Sequence, residues 1–263
     1  GVCSMKERIL LFCIVFGLGV FIYIFQSYFN TVWGLAILCA LMSLYVGFMN
    51  LSYKIQKRKL QKYPQIINKN YKPFVSILIP AHDEESVIGN TVQNILSMDY
   101  ENFEIIVIDD RSTDNTASVI KDLESKYEKV TALIREKDAF PGKSAVLNDA
   151  FKLAKGEAIL VFDADATVEP DFLTTLIPHL EPKDVGAVQA RKVIRNKNMN
   201  LLTRCQNNEY TLDTYFQVGR DSVKGAVELR GNGELLKRQA IEDIGGWNNY
   251  TIVDDLDMST RMH

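Results

Sequence analysis

Two stretches near the amino terminus are too apolar to be left in water, and they divide the chain before any other feature is considered. Residues 9–25 run for 17 positions without a charge and residues 32–49 for 18 more, with Gln26-Ser27-Tyr28-Phe29-Asn30-Thr31 between them. Each is near the length a helix needs to cross the hydrocarbon core of a bilayer. Lys6 and Arg8 ahead of an apolar core would also suit a secretory leader, but no small-x-small cleavage site closes the run and a second run follows at once. Basic residues flank the outer ends, at 6–8 and 54–62, and the connection has none, which predicts that both ends are cytoplasmic. Tyr23, Tyr28, Trp33, Tyr45 and Tyr53 lie near the ends, as interfacial anchors do. The expectation is an integral membrane protein: a transmembrane helix pair over 1–53, a basic collar over 54–72 and a cytoplasmic domain over 73–263.

Charge follows the same division. The net −3 combines +8 over residues 1–72 with −11 over the remainder. So acidic a domain is a poor partner for a phosphate backbone, which excludes nucleic acid as the polymer bound, while the bilayer surface suits the collar. Of the four cysteines, Cys3, Cys13 and Cys39 belong to the membrane region and Cys205 stands alone in the remainder. With no Cys-x-x-Cys and only His82, His179 and His263, neither a disulfide framework nor a zinc site is expected.

Beyond Pro73 strands and helices alternate. Apolar strands are expected at 74–79, 103–108, 130–134 and 158–162, with amphipathic helices between them marked by Val87, Ile88, Val92, Ile95 and Leu96, by Ala117, Ile120, Leu123 and Tyr127, and by a helix over 143–154. This rhythm predicts a mainly parallel sheet with helices on both faces, whose ligands bind beyond the carboxyl ends of the strands. The strand ending Val161-Phe162 runs into Asp163-Ala164-Asp165. If the extended backbone persists through Ala164, both carboxylates face one way and offer hard oxygen ligands to Mg²⁺ or Mn²⁺. An isolated Asp-x-Asp is more often a solvated turn, so the remaining strand ends decide its meaning. Asp109-Asp110 ends the second strand and could accept an imide N–H or a ribose hydroxyl, since Ser112, Thr113 and Asp114 are available to cap the next helix. Gly142-Lys143 opens the third helix, where a lysine beside free amides attracts phosphate. Gly231-Asn232-Gly233 forms a turn ahead of an expected helical stretch, and Val253-Asp254-Asp255-Leu256-Asp257 is a third acidic cluster. No dinucleotide fingerprint or Walker loop is present.

The ordered set Pro80-Ala81-His82-Asp83-Glu84, Ile108-Asp109-Asp110-Arg111-Ser112, Gly142-Lys143, Phe162-Asp163-Ala164-Asp165, Gly231-Asn232-Gly233 and Gly245-Gly246-Trp247 with Val253-Asp254-Asp255 resembles the family-2 inverting glycosyltransferases, and among them the membrane-embedded processive synthases of poly-N-acetylglucosamine, hyaluronan, chitin and cellulose. The helix around Gln206, Glu209 and Tyr210 is similar to the interfacial helix of those synthases. The resemblance implies a GT-A-like α/β domain preceded by two transmembrane helices, and a UDP-sugar donor. It implies that Pro80, Ala81, Glu84, Asp109, Asp110 and Lys143 bind the nucleotide and that Asp163 and Asp165 hold Mg²⁺ or Mn²⁺ and the donor diphosphate. Gly231, Asn232 and Gly233 would border the sugar, and Asp255, beside Asp254 where the family has Glu, would be the general base.

The activity implied is transfer of a sugar, with inversion, to a growing β-linked polysaccharide at the cytoplasmic face. One alternative is addition of one or two sugars to a lipid such as diacylglycerol; another, of a different class, is a non-catalytic nucleotide-sugar-binding subunit. The family's Gln-x-x-Arg-Trp motif does not occur before His263, and Met5 rather than Gly1 reads as a native start. The expectation is therefore a segment of a longer protein, with activity belonging to the longer chain.

Overall fold

The computed structural model describes residues 5–28, 31–62, 68, 70–194 and 196–263. Cys3, the Lys6 and Arg8 side chains, most of the connection between the apolar runs, and collar residues 63–67 and 69 lie outside what is described. The described chain forms two compact units, one of residues 1–65, 193–227 and 263, the other of 66–192 and 228–262.

The first unit is helical. Both apolar runs are helices, α1 (Met5–Tyr28) and α2 (Thr31–Lys62). Among the described residues only Trp33–Lys62 is long and apolar enough to cross a membrane, and the apolar stretch of α1 that is described covers Cys13–Phe25. Two spans are thus not established. The basic stretch at 54–62 is helical and continues α2. Packed on α2 in the same unit is α7 (Leu201–Ser222), begun by a capping box in which Asn200 accepts from the Thr203 N–H and Thr203 Oγ1 accepts from the Asn200 N–H. Tyr53 meets Tyr215 edge-on at 4.5 Å, and at Gly219 a Cβ would stand 2.7 Å from the Met49 carbonyl oxygen, so glycine permits the close approach.

The second unit is a six-stranded sheet in the order β3-β2-β1-β4-β6-β5. Strands β1 (Val75–Ala81), β2 (Phe103–Asp109), β3 (Val130–Ile134) and β4 (Ala158–Val161) are parallel, and β6 (Glu234–Lys237) runs antiparallel to both β4 and β5 (Ala187–Gln189). The expected parallel β-α rhythm is realised through β4. The helical stretch expected after Gly233 is instead strand β6, and only then helix α8 (Arg238–Asp243). Glu-Leu-Leu-Lys has ordinary helix formers, but pairing against β4 buries Leu235 in one core and Leu236 in the other, and that tertiary gain overrides a weak local preference.

One apolar core packs β1 and β2 beneath α3 (Ile88–Leu96), α4 (Thr116–Lys126) and α6 (Phe172–Leu176). The other packs the opposite face beneath α5 (Lys143–Leu153), α8 and α9 (Asp254–Met262). Alternation along β2 divides its residues: Ile105 and Val107 face the first core, Ile106 and Ile108 the second. Chain order reverses at β1, with β2 on one side and β4 on the other, and the crevice beyond the carboxyl ends of these strands is where ligands of open sheets sit.

Candidate active site

Three loops meet beyond β4. The chain leaves the strand at Val161, and the Ala166 N–H donates to the Asp163 carbonyl at 3.1 Å, so Asp163-Ala164-Asp165 is a turn. The extended backbone therefore does not persist through Ala164, and the two aspartates do not share a strand face. Asp163 is half-buried and Asp165 exposed. Lys143, the first residue of α5, reaches across and donates from Nζ to Asp163 Oδ1 at 2.8 Å and to the Gly231 carbonyl at 2.9 Å. Its preceding residue, Gly142, has φ +101°, which a side chain would strain.

The third loop is Gly231-Asn232-Gly233, both glycines left-handed at φ +65° and +71°. Asn232 Oδ1 accepts the Asp163 N–H at 3.3 Å, and the Gly233 N–H donates to the Val161 carbonyl at 2.8 Å. A Cβ on Gly231 would lie 3.4 Å from Asp255 Oδ2 and 3.5 Å from Lys143 Nζ, so one face of the turn is shared by the ammonium and the carboxylate. Asp254 and Asp255 open α9, whose amino-terminal dipole favours negative charge there. Asp257 is committed elsewhere, paired with Arg261 at 2.6 Å.

Glu234, next along the chain, escaped the sequence reading. It is 1% exposed and accepts the Gly231 N–H at 3.3 Å. Burial pushes its carboxyl up to about 7 against the pull of Lys143, and the charges of Asp254 and Asp255 push the same way. Buried acids are uncommon and a lone Glu beside Gly-Asn-Gly could have been flagged, but nothing in its spacing said that it pointed inward.

A second group lies at the ends of β1 and β2. Asp110 accepts from Arg111 Nε at 2.8 Å and from Arg135 Nη1 at 2.7 Å. The Asp110 N–H donates to the Ala81 carbonyl, and His82 Nδ1 lies 2.7 Å from the Asp110 carbonyl. Burial raises the Asp110 carboxyl, but the two guanidiniums outweigh it and hold it below the ordinary range. Arg135 was also missed. Its side chain is 2% exposed, and it pairs with Asp149 at 3.0 Å and donates to the Phe140 carbonyl at 2.8 Å, tying β2 to α5 and to the loop that leads to Lys143. Asp109 does not join its neighbour: alternation turns it toward the α3–α4 side, where it is 2% exposed and its Oδ1 has no hydrogen-bond partner among the described residues. Pro80 and Ala81 line the end of β1, and Glu84 lies in the turn into α3, its N–H donating to Thr116 Oγ1 at 2.8 Å.

Among the described residues no three His, Cys, Asp or Glu side chains form a ready metal cage. The donors present nevertheless fit a hard divalent cation bound together with a diphosphate. Asp163 and Asp165 stand on one turn, and Lys143 is the ammonium placed against Asp163. Such cations keep few protein ligands and complete their shell from phosphate and water.

A mostly parallel α/β sheet whose strand ends carry an ammonium, several carboxylates and a glycine turn has the GT-A-like architecture. Residues 76–245 match the family described as glycosyl transferase family 2, and the chain belongs to that family. It is 45% identical over 193 residues to a β-monoglucosyldiacylglycerol synthase of Nostoc, covering 73% of this chain and 41% of the relative. A poly-β-1,6-N-acetyl-D-glucosamine synthase of Staphylococcus epidermidis is 31% identical over 193 residues, 72% of this chain and 45% of the relative. The chain thus spans less than half the length of these curated relatives. Among solved structures it resembles a Pyrobaculum calidifontis mannosyltransferase in complex with GDP-Man and Mn²⁺, with a TM-score of 0.67, 26% identity, and coverage of 86% of this chain and 63% of that one.

Proposed function

We propose that the protein transfers a sugar, with inversion, from a UDP-sugar to the hydroxyl of a membrane lipid of the diacylglycerol type. This reading displaces polysaccharide synthesis. It is supported by 45% identity to a glucosyldiacylglycerol synthase against 31% to the poly-N-acetylglucosamine synthase. The observation that carries it is that 45% identity, which extends over 73% of this chain.

The roles assigned are these. Asp110, held by Arg111 and Arg135, takes the uracil imide N–H on its remaining lone pairs, with Pro80, Ala81 and Glu84 around the nucleoside. Lys143 lies against the diphosphate. Asp163 and Asp165 would hold Mg²⁺ or Mn²⁺, which supplies Lewis-acid neutralisation of charge on the departing UDP. Gly231, Asn232 and Gly233 let backbone approach the sugar. Asp255 accepts the proton of the acceptor hydroxyl while that oxygen forms its bond to the anomeric carbon and the bond to the diphosphate breaks from the opposite face. Transfer takes place at the cytoplasmic face of a membrane that Trp33–Lys62 is long and apolar enough to cross.

The test is UDP release by the native full-length protein in membranes, across a panel of UDP-sugars with and without EDTA, with the product partitioned. Release with one sugar and an organic-extractable product bearing one or two residues is expected. A long water-soluble polymer would restore the polysaccharide reading, and UDP binding without release from any sugar would leave a non-catalytic binding role.

A further inference from the structure

We infer that Gln189 and Glu234, a cross-strand pair, are positioning residues that hold the Gly231-Asn232-Gly233 turn in its working shape. The inference rests on the transferase reading only for what the turn is used for. Strands β5 and β6 place Gln189 directly opposite Glu234. From there Gln189 Nε2 donates to the Ala190 carbonyl at 2.9 Å, the Asn232 carbonyl at 3.0 Å and the Gly233 carbonyl at 3.3 Å, and its Oε1 accepts the Arg230 N–H at 2.8 Å. Only one orientation of the amide meets these demands, because three carbonyls face one end and an N–H the other. Glu234 completes the frame by accepting the Gly231 N–H. The Arg230 and Gly231 N–H groups and the Asn232 and Gly233 carbonyls are thereby each met by one of the two side chains.

What the turn carries gives the pair its consequence. The Gly231 carbonyl receives Lys143 Nζ, the Asn232 side chain receives the Asp163 N–H, and the Gly231 Cα faces Asp255. The ammonium, the acid on the β4 turn and the assigned base are all registered against a three-residue turn in which two left-handed glycines bring no side chain of their own. A glycine turn is intrinsically free, so its precision is borrowed from what binds it. Gln189 and Glu234 are the lenders, and neither is exposed.

The test compares Gln189→Met, Glu234→Ala and Glu234→Gln in the native full-length protein by amide hydrogen exchange and by steady-state transfer. Gln189→Met and Glu234→Ala should raise exchange of the 230–233 amides about tenfold or more, with strand β1 unchanged. They should lower kcat/KM for transfer about tenfold, since Lys143, Asp163 and Asp255 are all registered against the turn. Glu234→Gln keeps an oxygen toward the Gly231 N–H and should restore both readings. Combining Gln189→Met with Asn232→Ala should cost no more than the worse single change, because both act through one turn. Parent-like exchange at 230–233 in Gln189→Met and Glu234→Ala would overturn the inference. So would loosening spread equally over β1 and β2, or a Glu234→Gln protein no better than Glu234→Ala. Exchange is read whether or not any sugar is transferred, so a chain without transfer activity would count against the function while exchange still decides the fate of the pair.

Discussion

Asp163 and Asp165 are two positions apart, yet they meet different surroundings. Asp163 is held by an ammonium, whereas Asp165 is exposed. Substitutions should separate them from Asp255. Asp165→Asn is expected to weaken metal-dependent UDP binding, measured by calorimetry. Asp255→Asn should leave that binding within about threefold and cut transfer by about a thousandfold, the loss of a group needed only as the hydroxyl gives up its proton. Near-parent turnover in Asp255→Asn would remove it from the role of base. Arg135 offers a stability prediction. Arg135→Met leaves Asp110 with Arg111 alone and Asp149 with Lys152 alone and frees the Phe140 carbonyl, which should cost about 2 kcal/mol in chemical denaturation and raise donor KM. A change below about 1 kcal/mol would mean that the guanidinium is replaceable by water.

Among elements, the entry into β4 is the least forgiving. At Gly156 a Cβ would stand 2.4 Å from the Ser76 nitrogen and 2.6 Å from the Ala158 carbonyl oxygen, both of them backbone. Gly156→Ala should therefore destabilise the sheet by about 3 kcal/mol, seen as a lower denaturation midpoint with unchanged slope. A parent-like midpoint would show that β1 and β4 can part without loss. The pattern of elements was readable because the buried strands are short apolar runs bounded by turn residues: β3 spans the expected 130–134 and α5 begins at the expected Lys143. Strands β5 and β6 were not readable. Ala187–Gln189 is three residues long, and Glu-Leu-Leu-Lys has neither alternation nor β-branching, so their partners alone make them strands.

For the molecule as a whole, pH acts through opposed groups. Asp110 and Asp149 have folded values below those of an unfolded aspartate, near 3.9, so their stabilisation is complete above that pH and is lost as pH falls through the folded values. Glu234 works in the other direction: raised to about 7 from 4.5, it stabilises fully below 4.5 and its contribution is lost as pH rises through about 7. Denaturation midpoints of the parent should therefore fall between pH 5 and pH 8, while Glu234→Gln should flatten that limb and be the more stable protein at pH 8. An identical pH profile in the two would place the titration elsewhere.

The sequence alone determined the apolar amino-terminal segments, the parallel β-α succession and the strand ends that bear acids. These follow from local periodicity and from where apolar runs stop. The resemblance carried by its ordered motifs implied one site for Lys143, Asp163, Gly231-Asn232-Gly233 and Asp255. Only the tertiary structure decided that Asp109 and Asp110 face opposite ways, that the Asp163 turn abandons the strand, and that Arg135, Gln189 and Glu234 work behind the site. Each depends on which element packs against which. A buried Arg, Gln or Glu reads in sequence like a solvated one until its partners close around it.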